Sequence, residues 1–232
     1  MTKNGVEFHH SNQDPLAGMH VNIEEANARL AKYRPLIDEL LKKQTPERFE
    51  ALSLHAPISK NFWTYDNFVS PGLRRKLQDT VLVDIGAGYA SNIRNLARDY
   101  SVPFLIEIEK FYSNQKTGWE DVSEEGLHII RFRSDILEVL VRLPSASANV
   151  IMNGIDHLII PRGQYRTAML QEIVRVVPPA GIFFGYGSDM ASTSPYGPFV
   201  DVMPTGFVET NLLGGESALT PKFFIFEREQ SK

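Results

Sequence analysis

Val81-Leu82-Val83-Asp84-Ile85-Gly86-Ala87-Gly88-Tyr89-Ala90-Ser91 holds the plainest structural signal in the chain. It opens as an apolar run with β-branched residues, the pattern of a strand buried on both faces. The run ends in an acid, Asp84, and then in Gly86 and Gly88, after which SNIRNLARDY reads as a short helix. A strand that passes through glycines into a helix places backbone without side chains beside the free N–H groups of a helix N-terminus. That is a ligand-binding arrangement at the carboxyl end of a strand.

Outward from this turn the chain alternates. VPFLIEIE is a second predicted strand and GLHIIRFRSD a third, followed by a helix holding Ile136, Leu137, Val139 and Leu140. ANVIMNGID is a fourth strand, Tyr165 to Val177 an amphipathic helix stopped by Pro178-Pro179, and AGIFFGYG a fifth strand. GFVETNLL and KFFIFERE close the chain as a strand pair. Strands and helices in alternation, then two strands in succession, predict an α/β fold: a doubly wound, seven-stranded, mostly parallel sheet with an antiparallel last strand.

Ahead of the sheet, residues 22–79 read as helical. Asn22 is a cap with Glu24 and Glu25 in the first turn. Ala26, Leu30, Tyr33, Ile37, Leu40 and Leu41 follow at helical spacing, and Pro35 should kink or split the helix. Thr45, Pro46 and Glu47 signal a second helix start. An aromatic cluster, Phe62, Trp63, Tyr65 and Phe68, precedes a break at Pro71-Gly72. The expected organisation is a loose arm over 1–20, a helical cap over 21–79 and a Rossmann-like domain over 80–232.

The 232 residues are 43% hydrophobic and 22% charged. Such a chain buries roughly 70–75% of its extended surface and needs no staples. Zero cysteines exclude a disulfide framework, thiolate catalysis and cysteine-ligated metal sites. The net charge of −4 argues against a broad nucleic-acid surface. No apolar run reaches the length of a membrane span, and the N-terminal stretch has no signal-peptide core. A cytoplasmic protein with no membrane association is the expectation. His9-His10 is the one metal-like pair considered, and it reads as an exposed pair on the arm; no metal site is expected.

Two ligand classes suit the glycine turn. A dinucleotide fingerprint, G-x-G-x-x-G, needs Gly or Ala where this chain has Ser91, and the Asp84 carboxylate would repel a pyrophosphate. A nicotinamide-dependent oxidoreductase is therefore the disfavoured alternative. A ligand with positive charge suits Asp84 better.

On these residues the chain resembles the class I S-adenosylmethionine-dependent methyltransferases, over about residues 60–228. Their first motif is an acid, then x-Gly-x-Gly-x-Gly; here it is Asp84-Ile85-Gly86-Ala87-Gly88-Tyr89-Ala90, with alanine for the third glycine. The resemblance implies that an acid ending the second strand grips the ribose hydroxyls. Glu109, 25 positions after Asp84, is the candidate, and Glu107, two residues earlier on the same face, is its rival. It further implies that Asp135, with Ile136 beside it, lies near the adenine, although Asp135 also reads simply as a helix cap. Asn153, Asp156 and His157 follow the fourth strand, where acceptor chemistry belongs in this family. Asn153 is a candidate cofactor contact, and His157, with Asp156, a candidate general base for an acceptor that must lose a proton. Trp63 and Tyr65 are candidate acceptor-pocket walls, equally readable as core of the cap, and Tyr186 sits at the ligand-side edge after the fifth strand.

The implied activity is methyl transfer from S-adenosylmethionine to O or N of a small-molecule acceptor. Ala90, Asn149 (where an Asp is common in the family) and the long N-terminal helices motivate a second reading, a methyltransferase-like partner or regulatory subunit. Those helices are also the expected surface for a homodimer.

Overall fold

A computed structural model of the chain describes residues 15–43, 71–87, 91–109, 118–124, 126–153, 160, 163–186, 207–209 and 223–229. Five α-helices, a 3-10 turn at Ala17–Met19 and one sheet are present among them. α1 spans Ile23–Lys43, α2 Pro71–Leu77, α3 Ser91–Asp99, α4 Ile136–Leu140 and α5 Gln164–Val176. The strands are β1 (Val81–Ile85), β2 (Phe104–Ile108), β3 (Gly118–Asp121), β4 (His128–Arg133), β5 (Asn149–Asn153), β6 (Ile182–Tyr186), β7 (Phe207–Glu209) and β8 (Phe223–Arg228).

The strand order is β3-β4-β2-β1-β5-β6-β8-β7. β4, β2, β1, β5 and β6 are mutually parallel, and β8 inserts antiparallel between β6 and β7. The seven expected strands are all there. An eighth, β3, adds antiparallel to β4 at the outer edge. GWED offers no apolar alternation to announce it, because its burial comes from pairing with Arg131 and Phe132 and not from its own pattern.

Alternation along each strand builds two cores. Val83, Ile85, Ile106, Ile130, Val150 and Phe183 face one side, where α1, α4 and α5 cover them. Leu82, Leu105, Ile129, Ile151 and Phe184 face the other, against Leu73 and Leu77 of α2 and Ile93, Leu96 and Ala97 of α3. Helices on both faces of a mostly parallel sheet make the doubly wound, Rossmann-like architecture expected from the sequence.

α1 follows its predicted cap, with the Glu25 N–H donating to Asn22 Oδ1 at 3.1 Å. Ala26, Tyr33, Ile37 and Leu40 are buried as expected, whereas Leu41 is 41% exposed. Pro35 does not split the helix. Both Pro35 and Ala31, whose carbonyl loses its helical partner, are on the exposed side, so water can take up the freed acceptor. Pro71-Gly72 opens α2, since a proline in the first turn forfeits only an N–H that has no helical partner; the residues before it lie outside the described ones. Asn149 is structural: its Nδ2 donates to the Lys76 carbonyl and to Thr80 Oγ1, both at 3.0 Å, and its Oδ1 accepts from the Ile182 N–H at 2.8 Å. The predicted second helix start at Thr45 and the aromatic cluster at 62–68 lie outside the described residues, as does His9-His10. No helix among the described residues is long and apolar enough to cross a membrane.

Candidate functional site

The strand order turns at β1: β2 and β4 lie to one side of it, β5 and β6 to the other. Open sheets of this kind bind ligands in the crevice outside the carboxyl ends of the strands at such a reversal. Asp84 and the first glycine occupy that place.

Gly86 has φ +79, a left-handed conformation that favours glycine. The Gly86 and Ala87 N–H groups donate to the Ile108 carbonyl at 2.9 and 3.2 Å, which pins the start of the turn to the end of β2. The next residue on β2's path is Glu109, buried, with its own N–H bonded to the Phe132 carbonyl at 2.8 Å. The ends of β1, β2 and β4 are thereby stitched edge to edge. Ala87 is buried, while Gly88 and Ala90 lie outside the described residues.

Asp84, Glu107 and Glu109 share the sheet face that α3 covers: Asp84 pairs in register with Glu107, and Glu109 is two residues on. The partners of Glu107 are fully described. Glu107 is fully buried and takes a forked pair of bonds from Arg94 (Nε to Oε1 at 2.7 Å, Nη2 to Oε2 at 2.9 Å) and a further bond from Arg131 Nε at 2.7 Å. Arg94 also reaches Glu124 at 2.6 Å, and Glu124 bonds Arg98. Glu107 is thus committed to an ionic bridge joining α3, β2 and β4. The hydrogen bonds to Glu107 hold the Arg94 guanidinium firmly in its charged form.

Asp84 is the opposite case. It is 0% exposed, and among the described residues neither carboxyl oxygen has a hydrogen-bond partner. Burial, then the like charges of Glu107 and Glu109, push its carboxyl well above the usual carboxylate range, against a smaller pull from Arg131 and Arg94. A capping acid would be bonded to helix N–H groups, and among the described residues this one is not. Buried polar groups without partners are rare and cluster at functional sites.

Asp135 does cap a helix. Its Oδ1 accepts from the Leu137 N–H at 2.9 Å, and Glu138 reaches back to the Asp135 N–H at 3.3 Å, closing a capping box at α4. The same Oδ1 accepts from the Tyr165 hydroxyl at 2.8 Å. Burial, then Asp135, raise the Tyr165 hydroxyl pKa well above its ordinary value and keep it a donor. Burial works to raise the Glu138 carboxyl, but bonds from Ser134, Arg34 and the Asp135 N–H outweigh it and hold that carboxyl low. Ile136, the first residue of α4, is 6% exposed and packs into the core.

Asn153 ends β5 and Tyr186 ends β6, opposite each other in register. That puts both backbones at the carboxyl edge with Asp84. Asp156, His157, Trp63 and Tyr65 lie outside the described residues. Arg94, Arg131 and Tyr165 were not singled out by sequence. Arg94 and Arg98 form an i,i+4 pair on a short helix, which reads as a solvated face until the acids opposite it are placed.

No protein-family model and no curated protein sequence matches the chain. Among solved structures it is similar to the antibiotic-resistance methyltransferase Kmr (14% identity, 73% of this chain and 94% of that one, TM-score 0.42). It is similar to SMU.1697c of Streptococcus mutans, assigned as a methyltransferase and solved in complex with SAH (12% identity, 68% and 92%, TM-score 0.42). It is also similar to an rRNA methylase of Streptococcus thermophilus (16% identity, 68% and 93%, TM-score 0.41).

Proposed function

We propose that this chain is a methyltransferase that binds S-adenosylmethionine at the carboxyl ends of β1 and β2 and methylates O or N of a small-molecule acceptor. The observation that carries the reading is Asp84, a fully buried carboxyl without a hydrogen-bond partner among the described residues, at the point where the strand order reverses. A cationic amino-acid end fits such a group, and a pyrophosphate does not. S-adenosylmethionine supplies a methyl group already activated by its sulfonium.

The protein's own part is placement and exclusion of water. Asp84 presents an anion to the ligand's ammonium. Gly86 brings bare backbone close. Glu109 is the proposed acceptor for ribose hydroxyls, since Glu107 is committed to two arginines. Asp135 and Ile136 form the proposed adenine end, with the Asp135 carboxylate oriented by Leu137 and Tyr165. Ala87, Gly88 and Asn153 complete the proposed cofactor contacts. His157 and Asp156 are the proposed base pair for an acceptor that must lose a proton, and Trp63, Tyr65 and Tyr186 the proposed acceptor contacts.

The net charge of −4 favours a small acceptor over nucleic acid. The Asn149 amide is used in three structural hydrogen bonds, which weakens it as a support of the regulatory-subunit reading. Calorimetry with S-adenosylhomocysteine tests the cofactor: binding in the micromolar range is expected, and no heat at millimolar ligand refutes it. Labelled methyl transfer into fractionated metabolites, RNA and protein then tests the acceptor. Label confined to the RNA or protein fraction overturns the small-molecule reading.

A further inference from the structure

β4 carries two arginines on one sheet face, because Arg131 and Arg133 are alternate residues of the same strand. Arg131 lies beside Glu107 on β2 and opposite Glu120 on β3. The registered pairs of β2 and β4 end at Ile108 and Phe132, and the Glu109 N–H then donates to the Phe132 carbonyl at 2.8 Å. One step further along both strands, at the carboxyl edge, Arg133 is the β4 neighbour of Glu109. Charge alternates across this face: acids on β2, arginines on β4, an acid on β3. Opposite charges on adjacent strands support each other.

The two arginines reach in opposite directions. Arg131 bonds Glu107 on β2. Arg133 Nη2 donates to Glu120 Oε1 on β3 at 2.9 Å. That reach is diagonal, since the register partner of Arg133 is Gly118 and that of Glu120 is Arg131. Glu120 is buried, while Gly118 and Asp121 on the same strand are exposed. A buried acid on an edge strand is costly unless it is paired, so the Glu120–Arg133 bond is a built feature of β3. The guanidinium has five donors in a rigid plane, which lets one arginine serve an acid on each neighbouring strand.

We propose that Arg133 is a positioning residue for the sugar end of the ligand: anchored by Glu120, its guanidinium turns the Glu109 carboxylate toward the ribose hydroxyls. The inference rests on the cofactor reading above, in which Glu109 accepts those hydroxyls, and it adds the residues that orient that acid. Strand β3 thereby acquires a role in binding through Glu120.

The test is titration calorimetry of the full chain with S-adenosylhomocysteine and with its 2′,3′-dideoxy analogue, which keeps the adenine and the amino-acid end but lacks both sugar hydroxyls. The wild-type chain is expected to prefer the first ligand by roughly 10–100-fold. Arg133→Met is expected to cut that preference to about threefold or less, by weakening S-adenosylhomocysteine while the analogue stays within about twofold of its wild-type affinity. Glu120→Gln, which acts on Glu109 through Arg133, is expected to lower the preference by a smaller factor. Should Arg133→Met fail to fold, Arg133→Lys takes its place, and the preference falls there too because an ammonium has no planar fork.

Equal weakening of both ligands by the variants assigns the pair to folding alone and overturns the proposal, with the cofactor reading left standing. So does a preference that the Arg133 variant leaves unchanged. A wild-type chain that binds both ligands equally well overturns Glu109 as the sugar acceptor and this inference with it. Binding of neither ligand by the wild-type chain overturns the cofactor reading as well.

Discussion

At the scale of single residues, Asp84 and Asn149 show opposite uses of a buried polar side chain. An acid whose native pKa lies above its unfolded value binds more protons folded than unfolded across that interval. Its stability contribution therefore falls as pH rises through the interval. Asp84 is such an acid, by burial and by the neighbouring charges of Glu107 and Glu109. Asp84→Asn is expected to stabilise the chain at about pH 8 by on the order of 1–2 kcal/mol, with the gain shrinking as pH approaches the ordinary carboxylate range. Thermal melts across that span check it. Asn149 uses both ends of its amide, two donations and one acceptance, to join the Lys76–Thr80 turn to β6. A carboxylate cannot donate, so Asn149→Asp leaves the Lys76 carbonyl and Thr80 hydroxyl short of a partner beside a buried charge. A loss of about 2–4 kcal/mol in urea unfolding is expected. The position of Asp84 before the glycines was legible from the sequence, because spacing alone puts it at a strand end. The pairing of Glu107 with two arginines was not. Alternation places Glu107 and Glu109 on one face, and the arginines come from residues 13 positions before and 24 after Glu107.

At the scale of elements, α3 is fastened to the sheet by apolar packing through Ile93, Leu96 and Ala97 and by the Arg94 bridge. Removing one partner of a buried ion pair leaves an uncompensated charge. Arg94→Met is thus expected to cost about 3 kcal/mol, with Arg131 still holding Glu107, and Arg94→Met combined with Glu107→Gln to recover part of it in a double-mutant cycle. The helix that opens over the glycine turn would lose its tether to β2, so S-adenosylhomocysteine affinity should fall in the single variant too. α4, only five residues long, depends on its cap. Asp135→Ala removes the acceptor for the Leu137 N–H and the Tyr165 hydroxyl together and is expected to cost about 2 kcal/mol, at the upper end for a cap. Urea unfolding measures it, with Asp135→Asn as the milder control because an amide oxygen still accepts both bonds. That Asp135 caps α4 follows from an acid before an apolar run. That Tyr165 bonds the same carboxyl follows only from α5 packing against α4, an interaction across 30 positions of sequence.

At the scale of the whole molecule, α1 belongs to the same core as the sheet. Ile37 is fully buried among residues of β1, β2, α4 and α5, and Tyr33 donates to Glu172 on α5 at 3.0 Å, its hydroxyl pKa pushed up to about 12 by burial and by that carboxylate. Ile37→Ala is expected to cost about 2–5 kcal/mol and to lower one melting transition shared by far-ultraviolet and tyrosine signals. Two separated transitions would instead show that α1 unfolds apart from the sheet. The seven main strands, their alternation with helices and the acid–glycine turn could be read from the order of residues alone. These depend on period and on turn chemistry, which are local properties of a chain. Packing in three dimensions was needed to show that Pro71-Gly72 starts a helix, that GWED joins the sheet, and which acid takes arginine partners. Those outcomes depend on what lies opposite a residue in space, and a charge's state depends on burial and partners that its own neighbours in sequence do not supply.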